Sequence, residues 1–123
     1  MNKPNTALSH SATIFPVSDM ERSLVFYRDQ LGFEVTFAWE DPVSYAVLKR
    51  DDISIHLSLS DGTVTTSGHT ALYIFPYDVD AVYSELKAKG VSFLTDIGDR
   101  DYGMRDFDIK DPDGHILSFG KGI

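Results

Sequence analysis

The spacing of apolar residues in the first half of the chain predicts one helix among four strands. Residues 8–17 are predicted to form a strand, and Ser18 followed three residues later by Glu21 has the spacing of a capping box at a helix start. Gly32 is placed to end this helix in a left-handed conformation. The apolar stripe of the helix consists of Met20, Leu24, Tyr27 and Leu31. Three β-rich runs follow at residues 33–39, 44–50 and 53–59.

The second half of the chain repeats this order. After a polar stretch, residues 69–77 are predicted to form a strand, Asp78 to cap a second helix and Gly90 to end it. Its apolar stripe consists of Val79, Val82, Tyr83 and Leu86, and further strands are predicted at residues 91–95, 105–110 and 115–119. An offset of 59 residues places Asp19 on Asp78 and His10 on His69, which indicates an internal repeat.

The repeat predicts the architecture. We expect a single α+β domain over residues 1–123, built from two tandem βαβββ modules whose sheets pair around a shared concavity. The first module is predicted at about 8–59, a linker at about 60–68 and the second module at about 69–119.

Composition narrows the classes of partner. The chain has 11 basic and 19 acidic residues and a net charge of −8, which opposes binding to the phosphate backbone of nucleic acids. It has no cysteine, which excludes thiol catalysis and Cys-ligated zinc. No stretch approaches the apolar length of a membrane span, about 18 residues, and residues 1–10 lack the apolar region of a signal peptide. We therefore expect a cytoplasmic protein without nucleic-acid or membrane partners.

Three motifs resemble the signatures of one superfamily. They are Ser23-Leu24-Val25-Phe26-Tyr27 with Leu31-Gly32-Phe33, Asp78-Val79-Asp80-Ala81 with Gly90-Val91, and Asp111-Pro112-Asp113-Gly114-His115-Ile116-Leu117. In this order they resemble the first helix, the second helix and the closing hairpin of the vicinal oxygen chelate superfamily, in its glyoxalase and bleomycin-resistance branch. Residues 45–59 and 102–107 resemble bleomycin-resistance proteins most. The resemblance implies that the two modules form curved mixed sheets around a ligand cleft, which a second chain often completes, and hence a homodimer.

The resemblance also implies where a divalent metal would be held. Metal-dependent members carry His, Gln or Glu on the first and last strands of each module, and the matching positions here are Ala12, His56, Ala71 and Ser118. Only His56 is a usual ligand, whereas a catalytic zinc needs three protein ligands. We therefore expect no metal and no cofactor. A shifted site of His10, His56 and His69 stays open as an alternative, and His115, in a hairpin, is expected to be exposed.

Aromatic residues are the main candidates for ligand binding, because planar rings stack on heteroaromatic or cationic groups. His56 alternates with apolar neighbours and should face the cleft, where it could bind ligand, act as a base or bond to a neighbour. The predicted ligand-binding residues are Phe37, Trp39, Tyr45, His56, Tyr102, Met104 and Arg105. Core packing for Phe37, and an ion pair of Arg105 with Asp101 or Asp106, are the structural alternatives.

The sequence thus favours a metal-free protein that sequesters a flat aromatic or cationic small molecule, in the manner of bleomycin-resistance proteins that confer antibiotic resistance. No catalytic residue is assigned. The first alternative is a metal-dependent lyase, isomerase or dioxygenase of the same superfamily. A ligand-responsive interaction module is a third hypothesis, because sensing and sequestration need similar pockets.

Overall fold

The structure, a computed structural model, describes residues 7–123 and contains two four-stranded sheets. The first sheet consists of β1 (Thr13–Val17), β2 (Glu34–Trp39), β3 (Tyr45–Arg50) and β4 (Ile53–Leu59). The second consists of β5 (Thr70–Ile74), β6 (Phe93–Asp99), β7 (Met104–Lys110) and β8 (Ile116–Gly122). Helix α1 (Met20–Val25) follows β1, and helix α2 (Val79–Ala88) follows β5. The order βαβββ therefore occurs twice, which confirms the predicted α+β fold with two similar halves.

The two sheets have the same topology. Their strand orders are β1-β4-β3-β2 and β5-β8-β7-β6. The pairs β1–β4 and β5–β8 are parallel, and all other pairs are antiparallel. Because each strand of one sheet has a counterpart in the other, residues at corresponding register positions can be compared directly.

Helix α1 begins at a different cap from the predicted one. The Asp19 carboxylate accepts a hydrogen bond from the Arg22 amide at 3.1 Å, so Asp19 is the cap and the capping box predicted at Ser18 is wrong. Ser18 instead donates its amide and hydroxyl to Asp113 in the hairpin between β7 and β8. Helix α2 begins as predicted, with Asp78 as its cap.

The first helix changes geometry after Val25. It continues as a π-helical segment over Phe26–Gln30, in which the Leu31 amide donates to the Phe26 carbonyl five residues back. The predicted stripe of Met20, Leu24, Tyr27 and Leu31 is nevertheless buried throughout, as expected. Gly32 then takes a left-handed φ of +75°, which a residue with a side chain adopts only under strain.

One hydrophobic core joins the two modules. It includes Phe15, Val17, Leu48, Ile55 and Leu57 from the first module and Leu86, Phe107, Ile109, Leu117 and Phe119 from the second. Within it, the buried Tyr27 hydroxyl donates to the Asp111 carboxylate at 2.8 Å. Burial raises the pKa of both groups, although the hydrogen bond from Tyr27 opposes the shift at Asp111. A polar contact between the modules therefore lies inside the shared core.

His115 also belongs to this contact between the modules. Its ring stacks on Phe15, with the two centroids 4.4 Å apart, and its Nε2 atom lies 2.8 Å from the Pro16 carbonyl oxygen. The residue is 7% exposed, so the prediction of an exposed His115 is wrong. His115 is buried by a tertiary contact, because the hairpin that carries it packs against β1 of the other module.

Several strand ends differ from the prediction. β1 begins at Thr13 rather than at residue 8, because its ladder with β4 starts at the pair Thr13–Ile55. β6 begins at Phe93 rather than at residue 91, and both β6 and β8 extend several residues further than expected. Within residues 7–123, the structure contains no helix long and apolar enough to cross a membrane.

Candidate ligand-binding faces of the two sheets

The side of the first sheet that faces away from the helices carries aromatic side chains. Ile55 and Leu57 of β4 point into the core, so His56 between them points outward. The register aligns Ile14, Val47 and Phe37 with His56 in one row across the sheet. The neighbouring row contains Tyr45 and Trp39. We call this surface the first open face and define it by Ile14, Phe37, Trp39, Tyr45, Val47 and His56.

Phe37 and Trp39 form the exposed part of the first open face. Their side chains are 50% and 57% exposed, and their rings stack with centroids 6.4 Å apart and planes 29° apart. Phe37 therefore does not pack in the core, which was the alternative prediction. Trp39 ends β2 beside two exposed carboxylates, Glu40 and Asp41. The arrangement offers a flat apolar surface with negative charge at one end.

Tyr45 and His56 form a hydrogen-bonded pair on the same face. The Tyr45 hydroxyl lies 2.6 Å from His56 Nδ1, and the two rings meet edge to face at 5.5 Å. Tyr45 lies in the row next to His56, so the contact is a diagonal one between neighbouring antiparallel strands. The pair holds the imidazole in a defined orientation.

The corresponding side of the second sheet is polar. Asp106 and Asp108 alternate with the buried residues Phe107 and Ile109 of β7, so both carboxylates point away from the core. Ser118 of β8 and Tyr73 of β5 lie in the same row as Asp108. We call this surface the second open face and define it by Tyr73, Tyr102, Met104, Asp106, Asp108 and Ser118.

Asp106 is the centre of a hydrogen-bond cluster. Its carboxylate accepts from Arg100 Nε at 2.8 Å and from the hydroxyls of Tyr73 and Tyr102 at 2.9 and 2.6 Å. Burial alone would raise the pKa of Asp106, but these bonds outweigh burial and hold its pKa below the ordinary value. The pKa of Tyr73 is raised, first by burial and then by the bond to Asp106. The polar groups of this cluster therefore satisfy one another.

The predicted ligand-binding residues divide between the two faces. Phe37, Trp39, Tyr45 and His56 lie together on the first, whereas Tyr102 and Met104 lie on the second. Arg105 lies on neither, because strand alternation places it on the side of Phe107, toward α2. There it forms ion pairs with Asp80 at 2.8 Å and Asp99 at 3.1 Å.

The predicted partners of Arg105 are wrong, since the arginine that pairs with Asp106 is Arg100. Asp106, Asp108 and Tyr73 were not predicted as residues of an open face. The alternation of the two aspartates with Phe107 and Ile109 could have indicated that both aspartates face away from the core. Their partners could not be found in the same way, because Tyr73 lies 33 residues away in the sequence.

The residues present do not fit the divalent metal that the family resemblance implies. In the strand register, Ile14 lies beside His56 and Tyr73 lies beside Ser118, and neither Ile14 nor Tyr73 is a usual ligand of a divalent metal. Ser118 donates its hydroxyl to Asp108. Over residues 7–123 no three His, Asp or Glu side chains are grouped to hold a metal.

The histidines of the alternative metal site are also placed by the structure. His10 precedes β1, and its Nδ1 lies 2.7 Å from the Ser9 hydroxyl. His69 precedes β5 and lines a groove of about 430 Å³ together with His115 and β1 residues. His56 lines the first open face, so the structure does not bring the three imidazoles together.

Paired βαβββ modules, each with one open sheet face, define the fold class of glyoxalases and bleomycin-resistance proteins. The family model described as Glyoxalase/Bleomycin resistance protein/Dioxygenase superfamily matches residues 8–119, and the chain belongs to this superfamily.

Individual relatives extend the comparison. The chain is 30% identical over 130 residues to a bleomycin resistance protein of Geobacillus stearothermophilus, covering 92% of this chain and 96% of the relative. It resembles the bleomycin-binding protein from bleomycin-producing Streptomyces verticillus, solved with copper(II)-bleomycin, at a TM-score of 0.77 and 25% identity, with 96% and 99% of the two chains covered. It also resembles TnmS3, an antibiotic binding protein from Streptomyces sp. CB03234, at a TM-score of 0.76 and 25% identity, with 97% and 100% covered.

Proposed function

We propose that this protein binds and sequesters a flat aromatic, preferably cationic, small molecule on its first open face. The observation that carries the proposal is the exposed, mutually stacked pair of Phe37 and Trp39. A planar ligand placed on these rings would gain roughly 0.5 to 2 kcal/mol from stacking and cation–π attraction. Tyr45 and His56 line the same surface and would contact the ligand beside the stacked rings.

Charge supports the preference for a cation. The chain carries a net charge of −8, and Glu40 and Asp41 lie directly after Trp39. Carboxylates beside an aromatic surface attract a positively charged ring system and raise its local concentration. An anionic planar molecule would meet repulsion at the same place.

The second open face completes the proposal through a homodimer. Apolar side chains are exposed beside both open faces, among them Ile14 at 60% and Phe75, next to Tyr73, at 70%. We infer that the second open face of a partner chain covers the first open face, so that Tyr102 and Met104 line the other wall of the cleft. Arg105 is not included in the proposed binding site, because its guanidinium already forms ion pairs with two carboxylates.

We place this protein in the cytoplasm.

The relatives support binding rather than catalysis. The similar proteins named above are a bleomycin resistance protein, a bleomycin-binding protein and an antibiotic binding protein. The metal-dependent enzyme is not proposed, because Ala12, Ala71 and Ser118, which match the family's ligand positions, are poor metal ligands. We therefore infer a role in antibiotic resistance without a chemical step.

Calorimetric titration tests the proposal. Copper(II)-bleomycin and the flat cation N-methylquinolinium would each be titrated into the wild-type protein, Trp39→Ala and the matched control Tyr77→Ala, whose ring is 97% exposed elsewhere. Trp39→Ala should weaken binding about two- to thirtyfold, and the control should bind normally. Affinity for the cation should also fall as salt rises, since exposed charges are screened beyond about 8 Å at physiological ionic strength. Equal affinity of Trp39→Ala and the wild type would contradict the proposal.

A further inference from the structure

The hydrogen bond between Tyr45 and His56 leaves one imidazole nitrogen for another partner. Nδ1 is occupied by the Tyr45 hydroxyl, and the structure gives Nε2 no partner among residues 7–123. A phenol donates more readily than it accepts, and a neutral imidazole has one donor and one acceptor nitrogen. If the phenol donates to Nδ1, the ring proton lies on Nε2. In this tautomer the pair presents an N–H donor on the first open face.

Across the row, the neighbours of this donor are apolar. His56 lies between Ile14 on β1 and Val47 on β3, and Phe37 follows Val47 in the same row. A donor among apolar side chains gains more from an acceptor than a donor in water does. A ligand that covers the row without offering an acceptor would leave the N–H unsatisfied, which costs binding free energy.

The corresponding position of the second sheet shows that this donor is particular to the first. Ser118 lies between Tyr73 and Asp108 in the corresponding row, and its hydroxyl donates to Asp108 within the protein. A second hydroxyl, from Thr70, lies 2.9 Å from Ser118. The polar group of the second sheet is therefore satisfied internally, whereas His56 keeps a nitrogen available to a ligand.

Distances across the sheet define the ligand. Phe37 and His56 lie in one row on strands β2 and β4, with β3 between them. Two strand spacings amount to about 10 Å, which is close to the length of three fused six-membered rings. A ring system of this size stacked on Phe37 would cross Val47 and bring an oxygen on its edge to His56.

We propose that His56 Nε2–H is a fixed donor that selects planar ligands with a carbonyl oxygen on the ring edge, and that Tyr45 is the positioning residue that fixes its tautomer. The inference rests on the proposed binding at the first open face and deepens it by naming the ligand class. It predicts discrimination between planar molecules of equal charge that differ in this oxygen.

The tautomer can be measured on the ligand-free protein. Long-range proton–nitrogen NMR spectra at a pH well above the usual imidazole pKa of about 6.5 distinguish protonated Nε2 from protonated Nδ1. We expect His56 in the Nε2–H form in the wild type, and a mixture of tautomers in Tyr45→Phe. An Nδ1–H tautomer in the wild type, or no change in Tyr45→Phe, would overturn the inference.

A matched pair of probes tests the selection. N-aminoethyl carbazole and its derivative with an acetyl group on one terminal ring are both planar, tricyclic and cationic, and only the acetyl derivative has a carbonyl oxygen at the end of the ring system. The wild type should bind the acetyl derivative about two- to twelvefold more tightly. His56→Leu should abolish this preference, and His56→Gln, which keeps an N–H donor, should restore part of it. Tyr45→Phe should reduce the preference without changing the affinity for the unsubstituted carbazole.

The outcomes separate this inference from the proposed function. Equal binding of both probes, or equal losses for both in His56→Leu, would overturn the inference and leave binding at the first open face intact. Failure of the wild type to bind either probe would overturn both. Circular dichroism and melting temperature of each variant serve as folding controls.

Discussion

The two open faces have the same backbone and opposite chemistry. At corresponding positions, the first sheet carries Ile14, His56, Val47 and Tyr45 where the second carries Tyr73, Ser118, Asp108 and Asp106. The inward residues of both sheets are apolar and share one core. Apolar inward residues are therefore common to the two sheets, whereas the outward residues differ and give each face its own chemistry.

The two open faces also differ in whether a ligand would improve their contacts. Asp106 already receives three side-chain donors, from Arg100, Tyr73 and Tyr102, and needs no ligand to be satisfied. Phe37 and Trp39 of the first face are half exposed, and covering them removes apolar surface from water. We therefore expect the second face to contribute mainly to stability and the first mainly to binding.

The largest expected effect follows removal of the charge at the centre of the second face. Asp106→Asn should lower the free energy of unfolding by about 1.5 to 3 kcal/mol at neutral pH, because its bonds to Arg100 and two tyrosines are charge-assisted. The folded-state pKa of Asp106 is lowered, so its contribution is present above the ordinary value of 3.8 and is lost as pH falls through the lowered pKa.

Chemical denaturation at several pH values measures both parts of this prediction. The difference between wild type and Asp106→Asn should shrink below pH 3.8, the ordinary value of the carboxyl. Asp52→Asn, at an exposed carboxylate of the β3–β4 turn, is the control. A difference that stays constant down to low pH would show that the charge of Asp106 does not stabilise the second face.

A smaller loss of stability is expected when a side chain is added at Gly120, which lies against the second open face. A Cβ at Gly120 would lie 2.1 Å from the Tyr73 hydroxyl and 2.9 Å from Asp106 Cβ, so Gly120→Ala must displace Tyr73 from Asp106. We expect a loss of about 1 to 3 kcal/mol in the free energy of unfolding. Gly122→Ala, on the same strand with no atom within 4 Å of the added Cβ, should be close to neutral. Equal melting temperatures of the two variants would contradict this account.

The smallest effect on stability should come from the first face. Trp39 is 57% exposed, so Trp39→Ala should change the free energy of unfolding by less than about 1 kcal/mol. A loss of about 3 to 5 kcal/mol, the cost of truncating a core aromatic, would place the ring in the core instead. Thermal melts of this variant beside Gly120→Ala compare the two faces directly.

Periodicity predicted those features that depend on local sequence. The outward position of His56 followed from its apolar neighbours Ile55 and Leu57, and the cap at Asp78 followed from its place before an apolar stripe. The cap of α1 was missed because Ser18 and Asp19 are both good caps, and Asp113, 95 residues from Ser18, binds the serine.

Contacts between distant elements could not be predicted in this way. The burial of His115 depends on Phe15 in the other module, and the ion pair of Arg105 depends on Asp80 of α2. Alternation indicates which side of a strand a residue occupies, but the element packed on that side is fixed only by the tertiary fold.

The fluorescence emission of Trp39 tests most directly whether the ligand binds on the first open face. Trp39 is the only tryptophan in the chain and lies on that face. N-methylquinolinium quenches an indole on ring contact. We predict saturable quenching of Trp39 by this cation, with the same midpoint as the calorimetric binding curve. Calorimetric binding of the cation with unchanged Trp39 emission would contradict the claim that the first open face holds the ligand.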